Sequence, residues 1–339
     1  MEFVDRMLET YGQLTRDALR SYLPGGSPGD YLYDLVADYP YRRGKMLRPS
    51  LCIATARALG ASEDDALPSA VAIELLHNAI LIHDDIEDAS VQRRGQPTLH
   101  EIHGVPLALN AGDMLSLLSW QPLKDHKGRL PDRIAVDVVE ETERTAWECA
   151  EGQALDLGWR RENRFDLTDA DYLTMVCKKT CWLGMIHPAR MGALIATHSR
   201  GWFDPLFRFG FLFGAAFQIT DDLLNLEAEA CYGKERDGDI WEGKRTLMLC
   251  HLYRVSPPGE RLRIAGALAK PREARDLAEV RWIRERMDDE GSLEYARTIA
   301  CALGAAALRE FDVLFEDVPG SDDKAFIREL VTWSIKRIQ

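Results

Sequence analysis

Apolar residues recur at helical spacing along most of the chain, and this pattern limits the possible folds more than any other feature. Residues on one face of an α-helix lie three or four positions apart, as do Val71, Leu75, Ala79 and Ile82. Strand-like alternation of apolar and polar residues is nearly absent. Clusters of Gly and Pro, which break helices, occur at residues 24–28, 94–97 and 256–259. The sequence therefore predicts an all-α protein.

Size and charge narrow the possible classes further. The chain has 339 residues, 46% hydrophobic and 29% charged, a composition typical of an ordered globular protein. We interpret residues 1–339 as one large helical domain, in which the charge-rich region after Pro257 forms peripheral helices packed on the core. A net charge of −13 argues against nucleic acid or an anionic membrane as the main partner.

Localisation is predicted from three further features. The seven cysteines are scattered without a CxxC pair, a pattern typical of reduced thiols in a cytosolic protein. The longest apolar stretch, residues 209–220, is shorter than the ~20 residues that a membrane-spanning helix needs. The first ten residues carry acidic side chains, unlike a signal peptide. We expect a cytoplasmic protein without a membrane span.

An acidic motif, residues 83–88, closes the apolar helical run that precedes it. Asp84 and Asp88 are four positions apart, so on a helix their carboxylates point the same way, with Asp85 roughly 100° around the axis. Acidic residues at one helix end are often only solvated surface. A second such motif changes that interpretation.

The second motif comprises Asp221, Asp222 and Asn225, again at the end of an apolar run. Several carboxylates at the end of an apolar helix repel one another unless something neutralises them. Mg²⁺ prefers oxygen ligands and is usually held by one or two carboxylates together with substrate phosphates. Two facing acidic helices therefore predict a site where Mg²⁺ binds a diphosphate.

Basic residues lie in Gly-containing segments near both motifs. Each group alone is more typical of a solvated surface, but together they suggest two anion subsites, one reached through metal and one through direct contact. Lys45 and Arg48, three positions apart, are expected on one helical face near a helix start, where backbone N–H groups favour anions. The other groups are Arg93 with Arg94, Lys178 to Thr180, Lys234, and Lys244.

Taken in order, these segments resemble the sequence blocks of the trans-isoprenyl diphosphate synthase, or polyprenyl synthetase, family. The matching segments span roughly residues 40–250 and read GKMLRP, HDDIEDASVQRRGQPTLH, EGQALD, KKT, FQITDDLLN and YGKERDGDIWEGKRTLM. The resemblance is to the geranylgeranyl type. It implies a helical bundle of the isoprenoid synthase type around a deep apolar pocket, and a homodimer.

The resemblance also implies roles for individual residues. Asp84, Asp85, Asp88 and Asp221 would bind three Mg²⁺ ions, and Asp222 and Lys179 would join them in catalysis. Contacts to the allylic diphosphate would come from Arg93, Lys179, Lys234 and Lys244. Isopentenyl diphosphate would be held by Gly44, Lys45, Arg48, His77 and Arg94. Thr180 and Gln218 would line the reacting end of the pocket. Asn225 stands where many members have a third aspartate, which implies a weakened second motif.

The implied reaction is ionisation of the allylic diphosphate, attack by the isopentenyl double bond in a head-to-tail, 1′-4 coupling, and loss of a proton to the released diphosphate. Elongation would stop where the tail meets a bulky side chain. Ala79, where farnesyl-type members tend to carry an aromatic residue, favours a twenty-carbon product, although Ala79 could equally well only pack against a neighbouring helix. Leu115, Leu118 and Trp120 are deeper candidates for the pocket floor.

Four other interpretations remain open. A synthase could use a noncanonical acceptor or a head-to-middle coupling, although Lys45, Arg48 and His77 favour the ordinary acceptor. A class I terpene cyclase shares the first acidic motif, but its second metal motif has a different pattern, and it does not need a second diphosphate subsite. A farnesyl diphosphate synthase would differ only in product length. A catalytically silent subunit that regulates a synthase would usually lack one of the acidic motifs.

Overall fold

The protein is described by a computed structural model over residues 2–42, 44–227 and 237–336. The helices are α1 Glu2–Leu19, α2 Asp34–Tyr41, α3 Leu47–Ala58, α4 Glu63–Glu87, α5 Leu99–His103, α6 Val105–Leu118, α7 Asp132–Arg161, α8 Asp169–Val176, α9 His187–Thr197, α10 Phe203–Glu227, α11 Gly238–Glu242, α12 Leu247–Val255, α13 Pro258–Leu268, α14 Leu277–Asp289, α15 Ser292–Leu314 and α16 Asp322–Ile335. Two π-helical segments occupy Gly29–Tyr33 and Cys177–Ile186, and a short hairpin pairs β1 Gln92–Arg93 with β2 Gln96–Pro97. The prediction of an all-α protein is confirmed.

The core is built around α10 and α4. Helix α10 packs against α15 on one side and against the π-helical segment Cys177–Ile186 on another. Helix α4 packs against α3 and α6, and α7 packs against the π-helical segment. The region after Pro257 was expected to be peripheral. Instead, α15 contributes buried residues directly to the central core, because its small side chains allow close approach to α10.

Helix α4 has a well-defined start and a charged end. The Ser62 hydroxyl accepts a hydrogen bond from the backbone N–H of Asp65, whose carboxylate accepts one from the backbone N–H of Ser62. This capping box begins the helix. The last turn contains Asp84 and Asp85 but no basic side chain. Carboxylates there meet the negative end of the helix dipole, so their neutralising cations must come from other elements.

One expectation about membranes changes with the structure. Among the described residues, α4 is long and apolar enough to cross a bilayer by length and composition, although no such segment was predicted. Of its most apolar window, 72% is buried inside the protein. A core helix passes the same test, and the burial of α4 is typical of one.

Two backbone turns bring basic residues toward the ends of α4 and α10. In the hairpin, Arg94 and Gly95 both have positive φ, 55° and 75°, as a two-residue hairpin turn requires. Before α3, Met46 has a φ of 52° and precedes the first helical residue. Lys45 therefore lies in a loop, and the prediction that Lys45 and Arg48 share a helical face is wrong.

Gly152 allows α7 to approach the π-helical segment closely. A Cβ atom at this position would lie 2.2 Å from the backbone nitrogen of Lys179, which is too close for any side chain. The contact fixes Lys179 beside the next turn of α7, where Asp156 lies. Short π-helical insertions frequently occur at functional sites.

Candidate active site

A cavity of about 1270 Å³ opens between the ends of α4 and α10. Its wall includes most of the residues that the sequence singled out: Gly44, Lys45, Arg48, His77, Asp84, Arg93, Arg94, Lys179, Thr180, Gln218, Asp221, Asp222 and Lys244. Asp85 and Asp88 are buried behind the wall. Lys234 lies outside the described residues. Segments up to 200 positions apart in the chain therefore meet at one cavity.

Asp85 holds Arg93 in place. Its carboxylate accepts hydrogen bonds from the Arg93 guanidinium, at 2.9 Å from Nε, and from the Tyr39 hydroxyl at 2.5 Å. Burial alone would lower the pKa of Arg93, but Asp85 raises it well above its usual value. Because Asp85 is fully buried and engaged by two donors, its position suits orientation of Arg93 better than metal binding.

Lys179 bridges two carboxylates. Its Nζ lies 2.6 Å from Oδ2 of Asp156 and 3.3 Å from Oδ1 of Asp84. Burial would lower the pKa of this ammonium, but Asp84 and Asp156 raise it well above its usual value. The side chain therefore carries a fixed positive charge beside Asp84 at the cavity wall.

Asp88 lies between two cations from other elements. Nη1 of Arg160 is 2.8 Å from its Oδ1, and Nζ of Lys244 is 2.9 Å from its Oδ2. Burial raises the pKa of the Asp88 carboxyl, although Lys244 opposes the shift. Each oxygen of Asp88 is therefore held in an ion pair. Since a carboxylate oxygen has two lone pairs, each oxygen retains one that can bind a metal ion.

The second acidic motif forms a hydrogen-bonded chain across the cavity wall. The Thr180 hydroxyl donates to Oε1 of Gln218 at 2.9 Å, and Nε2 of Gln218 donates to Oδ1 of Asp222 at 2.6 Å. The Tyr172 hydroxyl donates to the other oxygen of Asp222 at 2.9 Å. Burial raises the pKa of Asp222 to about 6, against these hydrogen bonds. Asp222 thus fixes Gln218, while its neighbour Asp221 borders the cavity.

Asn225, the residue expected to weaken the second motif, contacts the backbone of the following segment. Its Oδ1 accepts a hydrogen bond from the backbone N–H of Asp239 at 3.0 Å, and its carbonyl accepts one from Asp237. Asn225 therefore fastens α10 to the start of α11.

A second set of basic residues surrounds the buried carboxylate of Glu74. The Asn78 amide donates to Oε1 of Glu74 at 2.8 Å, and Nδ1 of His77 lies 3.7 Å from Oε2. Burial lowers the pKa of His77 to about 4, and Arg48 adds to the effect. Burial likewise lowers the pKa of Arg48 and of Arg94. Because the cations here outnumber Glu74, an anion would relieve their mutual repulsion.

The donor set at the ends of α4 and α10 fits Mg²⁺. Asp84 and Asp221 place carboxylates on the wall, and Asp88 lies behind it in ion pairs with Arg160 and Lys244. No three His, Cys, Asp or Glu side chains among residues 2–42, 44–227 and 237–336 form a ready-made metal cluster. This arrangement agrees with the preference of Mg²⁺ for one or two carboxylates completed by phosphate oxygens.

Sequence reasoning missed the buried partners of the cations. Asp156 and Arg160 lie on α7, and Glu74 lies on α4, each at most 12% exposed in its side chain. The segment EGQALD, which ends at Asp156, could have indicated such a partner, because it places an acidic residue one helical turn after Gly152. For Glu74, the sequence offered a weaker indication of a buried partner, namely a charged residue within an apolar helical face.

The apolar end of the cavity differs from the predicted pocket floor. Ile80, Leu81 and Ser116 border the cavity there. Ala79 is fully buried and packs in a separate core cluster that includes Leu115 and Leu118. Trp120, the third floor candidate, packs against the main core cluster, and neither it nor Trp159, Trp182, Trp202 or Trp241 borders the cavity. Ala79 therefore acts in packing, as the alternative interpretation held.

Comparisons with known proteins agree with this geometry. The family model described as Polyprenyl synthetase matches residues 30–287. A geranylgeranyl diphosphate synthase of Methanosarcina mazei is 36% identical over 297 residues, 87% of this chain and 86% of that protein. The structure of a geranylgeranyl pyrophosphate synthetase from Pyrococcus horikoshii matches with a TM-score of 0.85 at 30% identity, covering 99% of this chain and 98% of that one.

A further solved structure was determined with ligands. It is a geranylgeranyl pyrophosphate synthase from Corynebacterium glutamicum complexed with isoprenyl diphosphate and magnesium. It matches with a TM-score of 0.86 at 25% identity and covers 98% of this chain and 99% of that one.

Proposed function

Because this chain belongs to the polyprenyl synthetase family, we propose that it is a Mg²⁺-dependent trans-prenyltransferase that joins an allylic diphosphate to isopentenyl diphosphate. The observation that carries the proposal is the pair of cationic subsites at one cavity. Lys179, Lys244 and Arg93 surround the end of α4, and Arg48 and Arg94 surround Glu74. A reaction with one diphosphate substrate would need only one of them.

The chain's own residues bind, orient and shield the reactants. Lys179, Lys244 and Arg93 hold the allylic diphosphate and stabilise the charge that develops as its C–O bond breaks. Gly44, Lys45, Arg48, Arg94 and neutral His77 hold the acceptor, whose double bond attacks the allylic cation. The Thr180–Gln218 pair lines the reacting carbon. The proton lost after coupling passes to the departing diphosphate, which the same cations retain.

Metal binding is proposed for Asp84, Asp88 and Asp221, with three ions per site. Mg²⁺ held there would supply Lewis-acid stabilisation of the leaving diphosphate. We assign Asp85 to positioning Arg93, and Asp222 to positioning Gln218, because both carboxylates are engaged by buried donors. Lys234, on the segment after α10, is proposed to add a contact to the allylic diphosphate.

The proposed product is geranylgeranyl diphosphate. The relative from Methanosarcina mazei and the neighbour from Pyrococcus horikoshii carry that activity in their names. Beside α4 the cavity is bordered by Ile80, Leu81 and Ser116, which are smaller than an aromatic residue, whereas its aromatic lining residues, Tyr172 and Phe217, lie on α8 and α10. A growing tail can therefore extend past the last turn of α4.

We also propose that the protein is a cytoplasmic homodimer whose residues 1–339 form one domain. Support for the dimer comes from apolar side chains exposed on two helices that each contribute residues to the cavity wall. These are Val105, Leu109 and Leu117 on α6, and Val136, Val139 and Trp147 on α7. Light scattering is expected to give twice the chain mass, and Trp147→Glu is expected to shift the mass toward one chain.

Release of diphosphate tests the proposal and separates it from its alternatives. Purified protein is incubated with Mg²⁺ and farnesyl diphosphate, with isopentenyl diphosphate, or with both. The proposal predicts release only when both substrates and Mg²⁺ are present, and none with a chelator. Hydrocarbon formed from farnesyl diphosphate alone would support a terpene cyclase, and no release in any mixture would support a catalytically silent subunit.

A further inference from the structure

Trp333, near the end of α16, lies against the loop that carries Lys45. The Lys45 ammonium is 5.1 Å from the centre of the Trp333 ring, within the range of a cation–π contact. On the other side, the indole N–H donates to Oδ1 of Asp5 at 3.1 Å. The ring is 9% exposed. It thus connects the last helix of the chain to a residue of the cavity wall.

The indole is a fixed platform because α16 is tied to two other helices. Asp323, at the start of α16, accepts hydrogen bonds from the Tyr11 hydroxyl of α1 and from Nε of Arg57 of α3, the latter at 3.1 Å. The ring of Tyr11 packs edge-on against Phe326, with centroids 6.3 Å apart. The position of Trp333 relative to the start of α3 is therefore set by buried contacts.

Lys45, by contrast, is an exposed side chain in a loop, followed by Met46 in a left-handed conformation. A long lysine side chain loses considerable rotamer freedom when it is fixed on a ligand. Contact with the indole restricts that freedom beforehand, which reduces the entropic cost of binding. An ammonium also has three N–H donors, so it can lie on the ring and still donate to an anion in the cavity.

An aromatic ring differs from a carboxylate as a partner for a binding lysine. Lys179 and Lys244 are paired with carboxylates, which cancel part of their charge. An indole attracts a cation through its quadrupole and leaves the net charge unchanged. The contact with Trp333 therefore orients the Lys45 ammonium without itself reducing the charge that attracts a diphosphate.

We propose that Trp333 is a positioning residue for the acceptor subsite, where it holds Lys45 ready to bind the diphosphate of isopentenyl diphosphate. This inference rests on the proposed function of the cavity. It makes α16 a functional part of the acceptor subsite, in addition to its place in the core. Removal of the ring should weaken acceptor binding and leave allylic binding unchanged.

Titration calorimetry with isopentenyl diphosphate tests the inference without turnover. Trp333→Leu is expected to weaken binding about 3- to 10-fold, and Trp333→Phe, which keeps an aromatic ring, to recover part of the loss. In steady-state assays the KM for isopentenyl diphosphate should rise by a similar factor, with kcat and the KM for farnesyl diphosphate unchanged. In a Lys45→Met background, Trp333→Leu should have no further effect.

Trp282 supplies a matched control. The guanidinium of Arg263 lies 3.7 Å from the centre of the Trp282 ring, and Trp282 does not border the cavity. Trp282→Leu is expected to leave acceptor binding unchanged.

Equal or tighter acceptor binding in Trp333→Leu, or equal losses in both variants, would overturn the inference, as would failure of the wild type to bind isopentenyl diphosphate. Tight acceptor binding without any coupling would instead contradict the proposed function alone. Trp333→Phe keeps the test valid if Trp333→Leu does not fold.

Discussion

At the scale of single residues, the carboxylates of the first acidic motif are paired with basic side chains from other elements. Asp84 and Asp156 both contact Lys179, and Asp88 lies between Arg160 and Lys244. The sequence identified Asp84, Asp88, Lys179 and Lys244 because they lie in short, recognisable patterns. It did not identify which carboxylate holds which cation, since the partners are as far apart as Asp88 and Lys244. The packing of α7, of the π-helical segment and of the loop after α11 against the end of α4 decides those pairs.

Asp84→Ala is predicted to lower kcat by on the order of 100-fold or more, because it removes a wall carboxylate proposed to hold Mg²⁺ beside the leaving diphosphate. The fold should remain, with a melting temperature at or above that of the wild type, since the variant relieves repulsion at the end of α4. Steady-state kinetics and circular dichroism check both points. Asp113→Asn, which changes an exposed carboxylate on α6, should retain activity.

Asp156→Asn is predicted to lower kcat/KM for the allylic substrate by about 10- to 100-fold, because Lys179 and Arg160 lose a buried partner that orients them. The KM for isopentenyl diphosphate should change little. Kinetics with each substrate varied in turn measure the difference. Asp166→Asn, which removes an exposed partner of Arg164, is the control. Equal effects of Asp156→Asn on both substrates would contradict a role confined to the allylic subsite.

At the scale of elements, sequence patterns predicted the helices well and the turns poorly. The period of apolar residues located α4 and α10, because burial of one face sets that period directly. The start of α3 and the hairpin at Arg93 were missed. Both depend on a residue other than glycine in the left-handed conformation, Met46 and Arg94, and nothing in their side chains predicts it.

Gly152→Ala is predicted to destabilise the protein by about 1–3 kcal/mol, because the new methyl group would overlap the backbone at Lys179. Activity should fall as well, since Lys179 would move away from Asp84. Chemical denaturation and kinetics measure the two effects. At Gly158, six residues along the same helix, a Cβ atom would meet no other atom within 4 Å. Gly158→Ala should therefore be neutral or stabilising by up to ~1 kcal/mol.

At the scale of the whole molecule, α15 and α16 are buried more deeply in the core than the sequence predicted. Their small and charged side chains suggested a peripheral position, yet α15 lies on α10 and α16 supports α1 and α3. The charge of their outer faces obscured the narrow apolar faces that enter the core, such as Ala296, Ala300 and Phe311. Long-range contacts of this kind depend on the complementary surface of another helix.

Buried histidines should make the whole fold sensitive to mild acid. Burial lowers the pKa of His126 to about 4, and Arg129 adds to the shift; burial lowers the pKa of His187 to about 3. An unfolded chain takes up these protons near pH 6.5. The unfolded state therefore binds more protons between about pH 6.5 and 4, so stability is fully present above pH 6.5 and falls as the pH decreases.

His126→Gln isolates this effect from the carboxyl groups that titrate in the same range. The stability of the wild type relative to His126→Gln should fall by roughly 3 kcal/mol between pH 7 and pH 4. Guanidinium denaturation at pH 7, 6, 5 and 4 measures the difference. A difference that stays constant with pH would show that the pKa of His126 is the same in the folded and unfolded states.

The most direct test of the central claim is the mass of the product. Purified protein is incubated with Mg²⁺, farnesyl diphosphate and isopentenyl diphosphate. The products are then separated and their molecular masses are measured by mass spectrometry. Coupling at two diphosphate subsites predicts geranylgeranyl diphosphate, with one inorganic diphosphate released for each molecule formed. A product that contains no isopentenyl unit, or unchanged substrates under conditions in which both bind, would contradict the claim.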